Sequence, residues 1–454
     1  MKPDLSRRTF FRRTALFTGG AAAFPGASHA PDAWPGTLFN ILDFGARGDG
    51  TTNDAEAIQQ AVNRCSEAGG GTVLVPAGKV FLTGSFELKS HVNLHIENGA
   101  VLRASLNQDH YREQVLIEAN GAEHISLTGR GTIHAQGRQF MREELPDIFR
   151  PKPWRPRMMV LENCHNVRMC DLTLRESALW TVHLAGCTDV AIDGLSIIND
   201  RKIPNCDGIA LDCCRNVRIT GCHIEAGDDC IVLKTLRRYA QYGPCENITV
   251  NGCTLASTSA ALKIGTETVN DIRNVIFNGC VIRDSSRGLG IMLRDEGTVE
   301  HVIFSNILIE TRFFHTDWWG AAEPIHVTAL PREQGKPIGR VRDVRFSNII
   351  CRSENGIFLR GSEESKPSDV SFENVKVRLE RWTDWPGGRH DVRPSDRLGV
   401  YEHPTAGFYL QHAQDIALHR CMVAWGEARP VYFRHALESH DVVGLENVHF
   451  KERE

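Results

Sequence analysis

Residues 216–219 read Asn216-Val217-Arg218-Ile219, and a phrase of the same form returns along most of the chain. A polar residue, most often Asn or Asp, is followed by Val or Ile and then by alternating residues. The apolar second residues of the successive copies are Val167, Val190, Val217, Ile248, Val275, Val302, Val344, Val370, Ile416 and Val442. Most copies follow each other after 23–31 residues, but the steps from Val302 to Val344 and from Val370 to Ile416 are longer. The pattern is that of a repeat protein with two insertions.

The period of the repeat selects the architecture. Each copy has the alternation of a short strand, and no stretch inside the repeat has the 3.6-residue period of a helix. Short strands at a period of about 25 residues, without crossover helices, are typical of a parallel β-helix in which each period forms one coil. A propeller blade needs about 40–45 residues, and the framework of leucine-rich repeats is missing. The sequence therefore predicts an all-β fold, a single-stranded parallel β-helix that occupies residues 91–454.

The cysteines keep the register of the repeat. Four of them stand three residues before the Val or Ile of their copy and three stand five residues after it: Cys164, Cys187, Cys214 and Cys245, then Cys222, Cys253 and Cys280. Equivalent positions of a β-helix stack about 4.8 Å apart, so these cysteines form ladders of small buried side chains. We expect free thiols, although disulfides are common in exported proteins. No convincing zinc motif is present, and we expect no metal and no cofactor.

The N-terminal part differs from the repeat. Residues 1–30 have the form of a twin-arginine export signal, with Ser6-Arg7-Arg8-Thr9-Phe10-Phe11, an apolar stretch and the small-x-small site Ser28-His29-Ala30. Residues 31–90 are predicted to form the first strands and a short helical cap, with a helix from Asp54 to Ala68 behind Asn53 as N-cap. Such a helix would cover one open end of the coil stack.

The net charge of the chain limits the classes of partner that it can bind. The net charge is −4, and removal of residues 1–30, which hold five basic residues and one acidic residue, brings it to −8. This balance excludes the basic surface of a nucleic-acid-binding protein. The apolar stretch of the signal is too short to anchor the chain permanently in a membrane. We expect a periplasmic or secreted monomer with no nucleic-acid or membrane partner.

Three acidic residues fall together in the repeat register. Asp207-Gly208-Ile209-Ala210-Leu211 aligns with Asp229-Cys230-Ile231-Val232-Leu233, so Asp207 and Asp229 occupy the same place on adjacent coils, with Asp228 beside them. Carboxylates this close repel one another and must share protons. Because such a cluster destabilises the fold, its presence indicates catalysis. A lone aspartate in a turn is a weaker sign, since hydrogen bonds to the backbone explain it. Glycoside hydrolysis needs one protonated and one ionised carboxyl group flanking the bond.

Four phrases carry a resemblance: Asn205-Cys206-Asp207-Gly208, Gly227-Asp228-Asp229-Cys230, Ser177-Ala178-Leu179-Trp180-Thr181-Val182-His183 and the opening Asp43-Phe44-Gly45-Ala46. Together they resemble glycoside hydrolase family 28, the polygalacturonase-like enzymes that degrade pectin, from about residue 38 to 450. The resemblance implies a right-handed, pectate-lyase-like parallel β-helix and inverting hydrolysis of a pectic glycosidic bond. It also implies that Asp228 is the general acid and that Asp207 and Asp229 hold and activate water.

The chain departs from the family in its cationic residues. The family's Gly-His-Gly falls on Ser259-Ala260-Ala261, and its Arg-Ile-Lys, which clamps the substrate carboxylate, falls on Gly290-Ile291-Met292. The register places Arg287 beyond Ala260 in the column of Asp207 and Asp229, and Lys263 on an outward column one coil before the missing arginine. We therefore expect Lys263 and Arg287 to bind an acidic sugar that is displaced from the family's usual position.

Four further residues are candidate substrate contacts. Asn205 belongs to the first acidic motif, and Glu267 lies four residues after Lys263. His183 and His326 share the column of Lys263 on other coils, where they could line a cleft.

The two insertions carry aromatic clusters, Arg312-Phe313-Phe314-His315-Thr316-Asp317-Trp318-Trp319 and Arg381-Trp382-Thr383-Asp384-Trp385. Trp rings stack on sugars, and loops that close one end of the groove would make the enzyme exo-acting.

Two alternatives to a hydrolase of an acidic polysaccharide stay open. A polysaccharide lyase or epimerase on the same scaffold would use a base such as Lys263 or Arg287, often with Ca²⁺. A non-hydrolytic carbohydrate-binding or tailspike-like protein would have little need for three adjacent aspartates.

Overall fold

The computed structural model describes residues 37–395 and 399–454, so the predicted export signal at residues 1–30 lies outside the described residues. Within them the chain winds through three parallel sheets in turn, and a coil consists of one strand from each sheet. Strands pair in parallel with their equivalents one coil away, as Val217 does with Val190 and Ile248. The predicted all-β parallel β-helix is confirmed.

The first sheet carries the candidate site on its outward side. Its strands are Phe86–Glu87, Val115–Asn120, Arg157–Glu162, Val182–Ala185, Ile209–Asp212, Ile231–Thr235, Ala260–Thr268, Arg287–Leu293, Ile325–Ala329, Ile357–Arg360 and the first parts of Thr405–His419 and Phe433–Val448. The residues that point inward from these strands are apolar, because they form one wall of the core.

The second sheet contains the repeat phrase. Its strands are Leu38–Asn40, Gly71–Val75, Val92–Ile96, Glu123–Gly129, His165–Cys170, Thr188–Asp193, Arg215–Thr220, Cys245–Asn251, Ile272–Asn278, the first parts of Val299–Thr311, Val341–Ser353 and Ser368–Leu379, and the second parts of the two long strands named above.

The third sheet completes each coil. Its strands are Asp49–Asn53, Val80–Thr83, Val101–Ala104, Thr132–His134, Thr173–Arg175, Ser196–Ile198, His223–Ala226, Thr254–Ser257, Val281–Ser285, the second parts of Val299–Thr311, Val341–Ser353 and Ser368–Leu379, then Met422–Trp425 and Lys451–Arg453.

The polar first residue of the repeat phrase lies at a corner of the coil. Its backbone is left-handed, with φ of 57° at Asn216, 60° at Asn247 and 57° at Asn274. Asn and Asp tolerate this conformation better than other residues that have a side chain. The amides also bond along the stack, since Asn247 Nδ2 donates to Asn216 Oδ1 at 3.1 Å and Asn274 Nδ2 donates to Asn247 Oδ1 at 3.0 Å. The polar residue therefore recurs because the backbone at this corner has a positive φ, which Asn and Asp tolerate.

Like residues stack inside the coils. The rings of Phe277, Phe304, Phe346 and Phe372 follow one another at centroid distances of 4.8, 5.0 and 4.9 Å, nearly parallel. All 14 cysteines fall within the described residues, and all are free thiols, as the ladder hypothesis expects. Every one except Cys170 is buried, where a thiol behaves as a small apolar side chain.

One α-helix, Ala55–Glu67, lies against the first coils and buries Ile58, Ala61, Val62 and Cys65. It begins one residue later than predicted, with Asp54 rather than Asn53 at the N-cap. The Asp54 carboxylate caps nothing in the helix, because it accepts hydrogen bonds from the backbone N–H of Arg47 and Gly48. Among the described residues, no helix has the length and apolar character needed to cross a bilayer.

The insertions leave the stack in register. Val302 pairs directly with Val344, and Val370 with Ile416, although long segments separate them in sequence. Short elements outside the three sheets are the antiparallel pairs Met141–Glu144 with Phe149–Pro151 and Arg389–Asp391 with Val400–Glu402, and the 3₁₀ helices Ile41–Phe44, Gln108–His110, Gly137–Phe140 and Arg237–Tyr242.

Candidate active site

The three aspartates meet on the outward side of the first sheet. Ile209 pairs with Ile231, so Asp207 and Asp229, each two residues earlier, stand at equivalent places on adjacent coils. One carboxylate oxygen of each of Asp207, Asp228 and Asp229 lies within 4.8 Å of those of the other two. The structure thus brings together the three residues that the sequence predicts as catalytic.

Asp229 is held by several donors. Its Oδ1 accepts from Ser259 Oγ at 3.0 Å and from the backbone N–H of Ala260 at 3.3 Å, and its Oδ2 lies 2.7 Å from Lys263 Nζ. Both partners of this ion pair are buried. The contact places Lys263 beside a carboxylate of the chain itself, rather than in a position free to clamp a substrate.

Asp228 and Asp207 are set up to hold protons. Asp228 Oδ1 accepts from the backbone N–H of Asp229 at 2.9 Å, and its Oδ2 accepts from Asn205 Nδ2 at 3.3 Å. Burial and the charge of Asp229 raise the pKa of Asp228 to about 6. Burial and the charge of Asp228 raise the pKa of Asp207 well above its usual range, and Asp207 Oδ1 has no hydrogen-bond partner among the described residues. Both carboxyl groups therefore favour the protonated form more than an isolated aspartate does.

A second lysine, Lys234, lies in the site and is absent from the sequence-based candidates. Its Nζ is 3.5 Å from Glu267 Oε2 and stands 4.6 Å from the centre of the Trp180 ring. Burial opposes its charge, but Glu267 and then the three aspartates raise the pKa of Lys234. Alternation could have revealed it, because Lys234 pairs with Asp212 and points outward two residues beyond Val232.

These residues line a cavity of about 360 Å³. Its floor is the first sheet with the three aspartates, Lys234, Lys263 and Glu267, and its walls include Ile148, Trp180, Trp318 and Trp319. The Trp319 side chain is 42% exposed, which leaves an aromatic face for a sugar ring. Asn205, Lys263 and Glu267 therefore lie where the sequence predicts substrate contacts.

Arg287, His183 and His326 do not line the cavity, contrary to expectation. The predicted columns are correct, since Arg287 pairs with Ala260, and His183 and His326 share the outward column of Lys263. Added loops bury all three side chains: Arg287 Nε donates to Glu323 at 3.1 Å, and both histidines are completely buried. The strand register shows which residues stack in one column. It does not show which columns are covered by loops.

Aromatic side chains cover the outward face next to the cavity on both sides. On one side Trp180 and Tyr239 pack on His183, with ring centroids 4.7 and 5.6 Å away. On the other side His326 stacks on Phe358, which His390 covers. These contacts bury the outward column beside the cavity at His183 and His326.

The aspartates are the group of described residues whose spacing would suit a shared metal ion. Asp229 Oδ2 is already neutralised by Lys263 at 2.7 Å, and Asp207 and Asp228 favour a proton. The arrangement suits acid–base chemistry between carboxyl groups.

Comparison with known proteins agrees with this geometry. Residues 65–384 match the family described as Glycosyl hydrolases family 28. A probable polygalacturonase of Vitis vinifera is 32% identical over 269 residues, which cover 52% of this chain and 53% of the relative. The chain thus spans about half the length of this plant relative.

Two solved structures share the fold. An exopolygalacturonase of Thermotoga maritima superposes with a TM-score of 0.67 at 24% identity and covers 76% of this chain and 88% of its own. A family 28 exopolygalacturonase of Yersinia enterocolitica gives 0.69 at 19% identity, with 91% and 78% covered. Because the family match extends over well more than half of the sequence and includes the acidic motifs, the chain belongs to glycosyl hydrolases family 28.

Proposed function

We propose that the protein is a glycoside hydrolase that cleaves a glycosidic bond of a pectic or related acidic polysaccharide near the end of a chain. The observation that carries this proposal is the set of three carboxyl groups within 4.8 Å on the floor of an aromatic-walled pocket. The names of the relatives, polygalacturonase and exopolygalacturonase, support the same substrate class.

Each of the three aspartates has a separate role in hydrolysis. Asp228, with its pKa raised to about 6, protonates the leaving oxygen as general acid. Asp229 is the general base that activates water, and Lys263 and Ser259 fix its carboxylate in place. Asp207, on the adjacent coil, holds the same water.

The stereochemistry is a separate point. Inverting enzymes commonly keep their two carboxyl groups about 6.5–9.5 Å apart, and retaining enzymes about 5–5.5 Å. Here one oxygen of each carboxyl group lies within 4.8 Å of one oxygen of each of the others, and this contact distance does not by itself select either outcome. We propose inversion because a pair of carboxyl groups, Asp207 and Asp229, is available to hold a water molecule beside the acid. Proton NMR of the first product decides: an inverted anomer supports this assignment, and a retained anomer makes one aspartate the nucleophile.

Exo action follows from the covered face. A chain that continued in both directions along the coils would meet the Trp180–Tyr239 cover on one side and the His390–Phe358 cover on the other. Ile148, Trp318 and Trp319 line the pocket that would receive a chain end.

Export as a folded, monomeric protein to the periplasm or the medium belongs to the same proposal. A polysaccharide substrate is met outside the cytoplasm, and the twin-arginine pattern of residues 1–30 supports this location. Cleavage of the chain after Ala30, found by N-terminal sequencing of the exported protein, is the expected result.

A lyase or epimerase mechanism is less well supported by the geometry. It would need Lys263 or Arg287 as a base, but both are ion-paired, with Asp229 and Glu323 respectively. The product spectrum tests the point, because a lyase creates an absorbing unsaturated uronide and a hydrolase does not.

The proposed function is tested by incubating the protein with pectic, rhamnogalacturonan and neutral galactan substrates. We expect reducing ends from at least one acidic polymer, with mono- or disaccharide products from the start and slow loss of viscosity. Rapid loss of viscosity would contradict exo action, and no cleavage of any acidic polymer would contradict the substrate class.

A further inference from the structure

The second insertion supports the wall of the catalytic cavity from outside. In the part that the structure describes, residues 380–395 and 399–404, none of its residues lines that cavity. Two of its side chains, Asp391 and Arg393, nevertheless bind residues 316–320 of the first insertion, here called the wall segment. Within this segment Trp319 lines the cavity and is 42% exposed. An element distant in sequence thus supports the aromatic face that the cavity offers to a sugar.

The peptide groups on both sides of Trp319 are bound. On its N-terminal side, Arg393 Nη2 donates to the backbone O of Trp318 at 2.9 Å. On its C-terminal side, the backbone N–H of Gly320 donates to Asp391 Oδ2 at 2.7 Å. The angles φ and ψ are the rotations between the two flanking peptide planes, so holding both planes fixes the backbone at Trp319.

Asp391 and Arg393, here called the brace, also hold each other. Asp391 Oδ1 accepts from the backbone N–H and from Nε of Arg393, each at 3.0 Å, and Oδ2 accepts from Nη2 at 2.8 Å. Two parallel bonds of this kind orient a guanidinium group. The Arg393 guanidinium stands 6.0 Å from the centre of the Trp319 ring. The brace therefore reaches the side chain of Trp319 as well as its backbone.

The carboxylate of the brace is buried and stays charged. Asp391 is 1% exposed, and the buried Arg287 donates to its backbone O. Burial opposes the charge, but the bond from Arg393 and the charge of Arg287 hold the pKa of Asp391 below its usual range. Asp391 thus remains ionised, and able to accept from Gly320, at the pH where Asp228 titrates.

A second set of contacts reaches the wall segment from an antiparallel hairpin earlier in the chain. Trp318 Nε1 donates to the backbone O of Asp147 at 3.1 Å, and Arg150 Nη2 lies 2.9 Å from Asp317 Oδ2. These contacts bind side chains of the wall segment, whereas the brace binds its backbone. Trp319 lies between the two peptide groups that the brace holds.

We propose that Asp391 and Arg393 are positioning residues that keep Trp319 in the orientation in which its ring stacks on a sugar in the catalytic cavity. This inference rests on the proposed function and adds to it that the second insertion controls how tightly the substrate binds. Ordering a flexible side chain on binding costs affinity, so an aromatic face that is fixed beforehand binds a sugar more tightly. Because the brace does not line the cavity, its loss should raise KM rather than lower kcat.

Equilibrium binding in a double-mutant cycle tests this role. The probe is trigalacturonate, and the parent protein is the Asp228→Asn variant, so that no turnover occurs. Arg393→Gln removes the brace, and Trp319→Ala removes the ring. The Arg393 side chain is 28% exposed, so its replacement leaves the core intact. The matched control is Arg273→Gln, because Arg273 is also a partly exposed arginine whose Nε binds a carboxylate, but it lies on the second sheet.

We expect Arg393→Gln to weaken binding of trigalacturonate about two- to tenfold, the loss that follows when one side chain must be ordered on binding. Trp319→Ala should weaken it at least as much. In the Trp319→Ala background, Arg393→Gln should have no further effect, because the residue through which it acts is gone. The Arg273→Gln control should bind as the parent does.

Unchanged binding by Arg393→Gln would overturn the proposal, and so would an equal loss with and without the Trp319 ring, since the brace would then act on the fold alone. Absence of trigalacturonate binding to the parent would overturn it as well. If the wild-type protein cleaves no pectic polymer, the proposed function fails, but the binding cycle still decides the role of the brace.

Discussion

Asp228 is the residue on which the proposed chemistry depends most. It differs from Asp207 and Asp229 because Asn205 and a backbone N–H hold its carboxyl group while burial raises its pKa to about 6. Asp229, one residue later, bonds with an ammonium and a hydroxyl instead. Adjacent residues of one type thus obtain different roles from different neighbours, as paired carboxyl groups do in other glycosidases.

Replacement of this acid by an amide should abolish most of the activity. We expect Asp228→Asn to lower kcat by about 10²–10⁴-fold, the usual effect of losing a general acid, with the fold retained because the change is nearly isosteric. Steady-state kinetics and circular dichroism measure the two effects. Asp193→Asn, the same change at an exposed strand position, is the control and should be silent. A near-wild-type rate for Asp228→Asn would end the acid assignment.

The pH dependence of kcat/KM should show the ionisation of the Asp228 carboxyl group. A general acid works only while protonated, so kcat/KM should fall as the pH rises through about 6, where Asp228 loses its proton. Lys263 lowers the pKa of Asp228. In Lys263→Met this fall should therefore move to higher pH, and kcat should drop because Asp229 loses its 2.7 Å partner.

This outcome distinguishes two roles for Lys263. The sequence suggests a contact with the substrate carboxylate, which would predict a higher KM and an unmoved pH profile. The ion pair with Asp229 predicts a positioning residue, with a shifted profile and a lower kcat. Lys376→Met, at an exposed position of another sheet, is the charge-matched control.

At the scale of the coil, the Asn at each corner stabilises a left-handed backbone conformation. Asn247 has φ of 60° and bonds to Asn216 and Asn274 above and below it. Ala cannot replace either feature, so Asn247→Ala should destabilise the fold by about 1–2 kcal/mol, the cost of left-handed backbone for a residue with a Cβ. Asn247→Gly should cost less, because glycine adopts this conformation freely.

Urea denaturation compares these two variants with Thr249→Ala, at an exposed position of the same strand. Equal stability of the Ala and Gly variants would show that the amide ladder, rather than the backbone, explains the recurring Asn.

The thiol ladders give a prediction about covalent state. Titration of the denatured protein without reductant should find all 14 thiols, because the structure holds every cysteine free. A parallel sample treated with reductant is the control and should give the same number. A lower titre that reductant restores would show that disulfides form between coils.

Most of the coil stack could be predicted from sequence because its rules are local. The repeat phrase marks a left-handed corner at Asn216, and the alternation after it fixes which residues point inward. The same register gave the columns of Asp207, Asp229 and Lys263 correctly. The full cover over His183, His326 and Arg287 could not be predicted from the register, since Tyr239, Glu323 and His390 lie in segments outside the repeat. Lys234 was within reach, because it continues the outward alternation two residues beyond Val232.

At the scale of the whole molecule, the catalytic cavity lies on the outward side of the first sheet. Its lining holds five acids against two lysines, so it has an excess of negative charge. The buried core holds this sheet rigid, since the side chains below it are stacked and almost free of solvent. The positions of the three aspartates are therefore fixed by the packing of the coils.

The undisturbed pairing of Val302 with Val344 and of Val370 with Ile416 has an evolutionary consequence. Each insertion leaves a coil and returns to it without altering the stack, so wall segments can be lengthened, lost or exchanged between homologues while the scaffold stays as it is. Such exchange keeps the coil pairing, but a new first insertion must still supply a partner for buried Arg287, as Glu323 does here. Grafting the segment between two paired strands from one relative into another is accordingly a direct engineering route to a new product length.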